Sequence, residues 1–159
     1  PFVLLEQKTL NLMVLKDTAY VELRHCVDTD ILLINWKRSP SIKQFKDSYL
    51  TALRYVESTY LLTSFCTQLT AIGPLSRELE AWLMLEFYPN VFQIIKSPIN
   101  AAVVFSEEHF KAIVSNYQQP NYLSRQEFIH FNYFTDFEEA MHWLVDIRKG
   151  QEATSSLSS

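Results

Sequence analysis

Polar and apolar side chains alternate along Ala19-Tyr-Val-Glu-Leu-Arg-His-Cys26, so Val21, Leu23 and His25 share one face and Tyr20, Glu22, Arg24 and Cys26 the other. A period of two predicts a strand with one wet face. After the turn-like Val27-Asp28-Thr29-Asp30, the run Ile31-Leu-Leu-Ile-Asn-Trp36 is apolar and rich in β-forming residues, and so short a connection predicts an antiparallel hairpin. Upstream, Leu10 to Leu15 suits an edge strand or an extended lead-in, while Phe2 to Leu5 fits strand or helix equally. Residues 1–18 are therefore read as a lead-in to a domain over 19–149.

The period then changes. Ser41 with Gln44 three residues on is a capping box, and Ile42, Phe45, Tyr49, Leu53 and Val56 step by three or four into one apolar stripe. This predicts a helix packed on the sheet. Tyr60 to Cys66 is a short β-prone run ending near Thr67, followed by a loop to Ser76, which caps a second helix bearing Leu79, Trp82, Leu83 and Phe87. Pro89 is expected to break or kink that helix, which resumes briefly through Ile95, because proline lacks an amide and clashes with the preceding turn. Ala101-Ala-Val-Val-Phe105 is continuously apolar, as an inner strand covered on both faces should be. Ser106 caps a third helix with Phe110, Ile113, Val114 and Tyr117 inward, and Phe128 to Phe134 reads as the last strand. Asp136 and Glu139 repeat the cap for a fourth amphipathic helix, carrying Phe137, Ala140, Trp143, Leu144 and Ile147, with Gly150 as its terminator and 150–159 as a flexible tail.

The order β-β-α-β-α-β-α-β-α predicts an α/β fold. About five strands form a mixed sheet, mostly parallel, with an N-terminal antiparallel hairpin and four helices mainly on one side. Composition narrows the picture from there. At 159 residues, one core is expected; 48% hydrophobic residues and 22 aromatics are too apolar for a disordered chain. Two glycines, where average usage of about 7% would give roughly eleven, leave nothing from which to build a glycine-rich phosphate loop. No apolar run has the ~18 residues of a membrane span, and Pro1-Phe2-Val3 carries no basic signal-peptide region, so a cytoplasmic protein without membrane contact is expected. Cys26 and Cys66 form neither a metal-type spacing nor a disulfide framework.

Chemistry is sparse along the chain. Adjacent strand residues face opposite ways, so His25 and Cys26 cannot share an ion, and His109, His130 and His142 have no second ligand at metal spacing. Glu107-Glu108 and Glu138-Glu139 sit in helix first turns, where the helix dipole accounts for them. Neither thiol nor any serine lies in a nucleophile signature, so no enzyme, metal or cofactor is expected. Lys37-Arg38 is too short a basic track, and the net charge of −4 opposes nucleic-acid binding. One location keeps a functional reading: in the loop from Thr67 to Ser76, which leaves a strand and enters a helix, Thr67, Thr70 and Ser76 are candidate regulatory or anion-binding residues. The aromatics Tyr88, Phe92, Tyr117 and Tyr122, with Tyr133, exceed what one small core needs and are candidate interface residues, including for a homodimer.

Taken together, Leu32-Leu-Ile-Asn-Trp-Lys37, Ser41-Ile-Lys-Gln-Phe-Lys46, Trp82-Leu83, Ala101-Ala-Val-Val-Phe105 and Phe134-Thr-Asp-Phe-Glu-Glu-Ala-Met-His-Trp-Leu144 resemble small bacterial STAS-like proteins of the anti-anti-sigma-factor type, particularly single-domain members from Bacteroidetes. The resemblance spans about residues 19–148. It implies a STAS-like sheet with helices mainly on one side and a role in protein–protein regulation without catalysis. Anti-sigma-factor antagonists place the phosphorylated Ser or Thr after an Asp at the second helix; here no Asp occurs between Thr59 and Asp136, so the resemblance carries over the region and no single residue. The leading expectation is a non-catalytic STAS-like interaction module in cytoplasmic regulation, with an unidentified protein partner. The alternative is a small apolar-ligand or lipid-binding protein with a pocket between sheet and helices.

Overall fold

The computed structural model describes residues 12–59, 62–115 and 128–158. Its frame is a six-stranded sheet laid down in chain order: β1 (Leu12–Asp17), β2 (Val21–Cys26), β3 (Ile31–Trp36), β4 (Ser64–Gln68), β5 (Ile99–Val104) and β6 (Ile129–Phe134). The fold is α/β, with β1–β2 and β2–β3 antiparallel and β3 through β6 parallel. The lead-in thus supplies a sixth strand: Leu12–Asp17 is the edge, bulged between Val14 and Lys16. Edge bulges of this kind twist a strand and discourage further pairing. The alternation in β2 is as its sequence implies, with Val21, Leu23 and His25 buried.

Helix α1 (Ile42–Ser58) begins with the capping box closed in both directions: Gln44 N donates to Ser41 Oγ at 3.1 Å and Ser41 N to Gln44 Oε1 at 2.9 Å. Its stripe, Phe45, Tyr49, Ala52, Leu53 and Val56, is buried against the sheet. Parallel strands joined in order by crossovers of one hand place their linking helices on the same face. Accordingly α1, α2 (Arg77–Trp82), α3 (Tyr88–Ile95) and α4 (Glu107–Ser115) share one face, packed with Leu23, Leu32, Ile34 and Trp36. An aromatic cluster fills the interlayer there: Trp36 stacks on Phe45 at 5.2 Å between centroids, Phe45 meets Tyr49 at 4.7 Å, and Phe87 lies 5.1 Å from Tyr49 and 5.3 Å from Trp82. The opposite face of the parallel strands is covered by α5 (Phe137–Ser158), whose Ala140 and Leu144 seat against Ile31, Leu33, Cys66, Ala102 and Val104. β3 and β5 are consequently covered on both sides.

Two features differ in detail from the sequence reading. Pro89 interrupts the second helix without ending it: residues Leu83–Phe87 widen into a π turn, with Tyr88 N bonded to Leu83 O, and α3 resumes through Ile95 as expected, with the proline in its first turn. That position needs no amide, so the extra residue of the wide turn removes the conflict. Gly150 does not terminate the last helix either; α5 continues through it to Ser158. Helical glycine is only about 1 kcal/mol worse than alanine, a cost that continued hydrogen bonding offsets.

A Cβ placed on Gly150 meets nothing within 4 Å. Gly150→Ala is therefore expected to raise stability by about 0.5–1 kcal/mol, read as a higher urea midpoint at unchanged slope. Alkaline pH should do the reverse. Burial pushes the Tyr49 hydroxyl and the Cys66 thiol each up to about 12, and Tyr88 well above its ordinary 10.0. Folded-state values above unfolded ones mean that this stability is complete below about pH 9 and lost as pH climbs toward 12. Urea midpoints from pH 8 to 11 should fall, and fall less steeply in Tyr49→Phe.

Candidate functional site

The loop after β4 brings the three candidate hydroxyls to the C-terminal edge of the parallel strands, but each stands in different surroundings. Thr67, still within β4 and opposite Val103 in register, is half-buried, its hydroxyl meeting that of Tyr49. Thr70 is exposed in the turn closed by Gly73 N to Leu69 O at 3.0 Å, where Gly73 adopts φ +70°. Ser76 is a cap: its Oγ accepts from Leu79 N at 3.3 Å. The helix it opens runs six residues before the π turn, too few for a full macrodipole to gather an anion.

The candidate interface aromatics also separate. Tyr88 is not on the surface; its ring lies edge-on to Phe87 at 5.8 Å and to Phe131 at 5.8 Å, packed against the core. Tyr133 stacks against Phe105 at 5.7 Å and is likewise partly buried. Phe92 remains 45% exposed, its inner edge resting on Phe128 at 4.8 Å. Tyr117 and Tyr122 lie outside the described residues. Leu85, which the periodicity does not single out, is 75% exposed in the π turn.

The structure assembles one further group that sequence reasoning missed. His25, 1% exposed, has Nδ1 2.7 Å from the Tyr55 hydroxyl of α1 and Nε2 3.0 Å from Asp30 Oδ1. Asp30 Oδ2 in turn lies 3.4 Å from Arg148 Nη2 of α5, and Arg148 Nη1 donates to Thr29 O at 2.7 Å. A carboxylate only accepts, so Nε2 of His25 donates to Asp30, while the Tyr55 hydroxyl faces both His25 Nδ1 and, at 3.5 Å, Met13 Sδ. Burial, and then the Asp30 charge, push the Tyr55 hydroxyl above its ordinary value. The local signal was slight: a histidine on the apolar side of a strand, followed five residues later by Asp30 at φ +52°. Among the described residues, no three His, Cys, Asp or Glu side chains come together as a metal site, and no helix is long and apolar enough to cross a membrane.

The chain matches no protein-family model, no curated protein and no solved structure. The role of Ser76 as a cap is directly checkable. Ser76→Ala should cost about 1 kcal/mol in denaturant titration, whereas Ser76→Asp, an equally good cap, should be close to neutral.

Proposed function

We propose that this chain is a STAS-like protein-interaction module acting in cytoplasmic regulation, and that it docks its partner through the outer surface of the α2–α3 segment. Leu85 and Phe92 carry this reading: two large apolar side chains, 75% and 45% exposed, on a helix whose inner side is already committed to the aromatic core. Isolated exposed hydrophobics are ordinary, but aromatic and aliphatic groups presented on a rigid, well-packed element are what interface centres are made of. The sequential sheet with its linking helices on one face agrees with the resemblance drawn from the sequence. Of the three loop hydroxyls, Thr70 is best placed to receive a phosphoryl group, being exposed and not occupied as a cap. The ligand-carrier reading has less support, because the rings of Trp36, Phe45, Tyr49, Trp82 and Phe87 occupy the space between sheet and helices.

The test compares wild-type chain with Leu85→Asp/Phe92→Asp in quantitative capture from native lysate, beside sedimentation of each at micromolar concentration. Loss of a wild-type partner, or of a wild-type dimer, by a variant with unchanged circular dichroism is the expected result. Identical recovery and identical mass for both chains would remove this surface from the proposal.

A further inference from the structure

Helix α5 does not hold the sheet in one way along its length. Its first half is sealed by Ala140 and Leu144, both fully buried on Leu33, Cys66 and Ala102. One turn on, the seam becomes polar: Arg148 bonds Thr29 O at 2.7 Å and reaches Asp30 at 3.4 Å, and Asn100 Nδ2 donates to Gln151 Oε1 at 3.2 Å. The floor changes with it. Ser64 and Asn100, opposite one another in register on β4 and β5, are only 2% and 3% exposed, although both are polar. Gly150 lies between the two contact residues, with nothing within 4 Å of where a Cβ would stand. Polar contacts are exchanged for water at little net cost, so such a segment opens more readily than an apolar one.

The same seam reaches the other face of the sheet. Asp30 accepts from both Arg148 and His25, and His25 is bonded to Tyr55 on α1. Four side chains, Tyr55, His25, Asp30 and Arg148, thus run around the β2–β3 turn from the α1 face to the α5 face. The geometry points to a conformational device: the stretch of α5 from Asp146 to Gln151 is a releasable strap, latched by Arg148 and Gln151, whose hold is set from the opposite face by Tyr55 through His25 and Asp30. Release uncovers Ser64 and Asn100, which water then satisfies. The first half of the helix stays seated.

Residue-resolved hydrogen exchange on the full chain tests both parts. Arg148→Gln should speed exchange over residues 146–151 by about fivefold or more, with residues 138–144 unchanged. Tyr55→Phe, which deletes one hydroxyl on the far face, should speed the same amides. The double variant should exchange no faster than the faster single one, because both changes act on one chain of contacts. Unaltered exchange in Arg148→Gln would overturn the latch. Unaltered 146–151 exchange in Tyr55→Phe, or effects that multiply in the double variant, would overturn the coupling. Equal acceleration of the β4 and β5 amides in either variant would show global loosening and overturn the strap as a local device.

Discussion

Strands that run parallel must be joined by crossovers, and crossovers of one hand stack their helices on one face; the other face then has to be covered by whatever chain remains. In this molecule β3 to β6 are parallel and in chain order, so α1 to α4 are committed to one side. The far side of those strands is left to α5. A sheet with one dry face needs many helices there and few elsewhere, but β3 is apolar on both faces, with Ile31 and Leu33 on one and Leu32, Ile34 and Trp36 on the other. The sequence of that strand therefore requires a C-terminal helix long enough to reach back across β4 and β5 from the end of β6.

The two layers meet this demand by different means. On the α1 face the gap is filled by large rings, and truncating such a ring typically costs about 3–5 kcal/mol, because neighbours held in place by each other cannot collapse into the space. On the α5 face the buried contacts are aliphatic and small: Ile31, Leu33, Cys66, Ala102 and Val104 in the floor, Ala140 and Leu144 in the helix. Farther along the seam turns polar: at the N-terminal ends of β4 and β5 a serine and an asparagine take the place of the aliphatic floor, and the helix above answers with Arg148 and Gln151.

Periodicity made most of the frame legible. The alternation in β2, the capping box at Ser41, the cap at Asp136, and the continuous apolar run of β5 are local patterns whose meaning does not depend on distant residues. What escaped is what depends on partners far along the chain. Pro89 reads as a breaker because proline is judged against an ordinary α turn, and nothing local announces a wider one. Gly150 reads as a terminator for the same reason, when the helix beyond it continues. Tyr88 and Tyr133 look surplus to a small core until the number of rings needed to fill one whole interlayer is seen. His25 reads along the chain only as a histidine that cannot share an ion with Cys26, and it is buried and bonded; its partners Tyr55 and Asp30 lie 30 and 5 residues away, and Arg148 lies 118 residues beyond Asp30. Among the candidate hydroxyls, the cap at Ser76 was legible, while the engagement of Thr67 with Tyr49 required the packed structure.

The position of Asp30 follows from a geometric limit on sheets. Side chains alternate between faces and the backbone mesh between strands is closed by hydrogen bonds, so no residue inside a strand can touch elements on both sides. Communication between faces has to pass around an end. Asp30 occupies such an end, in the turn between β2 and β3, and its left-handed backbone at φ +52° is a conformation that a short polar side chain tolerates better than a branched one. From there one carboxylate oxygen faces His25 beneath α1 and the other faces Arg148 on α5. Asparagine would tolerate the same backbone, but it carries no negative charge and offers only one acceptor oxygen where two basic groups converge. The residue is therefore fixed twice, once by the turn and once by His25 of β2 and Arg148 of α5, which share its carboxylate, and the second requirement is the one that links the layers.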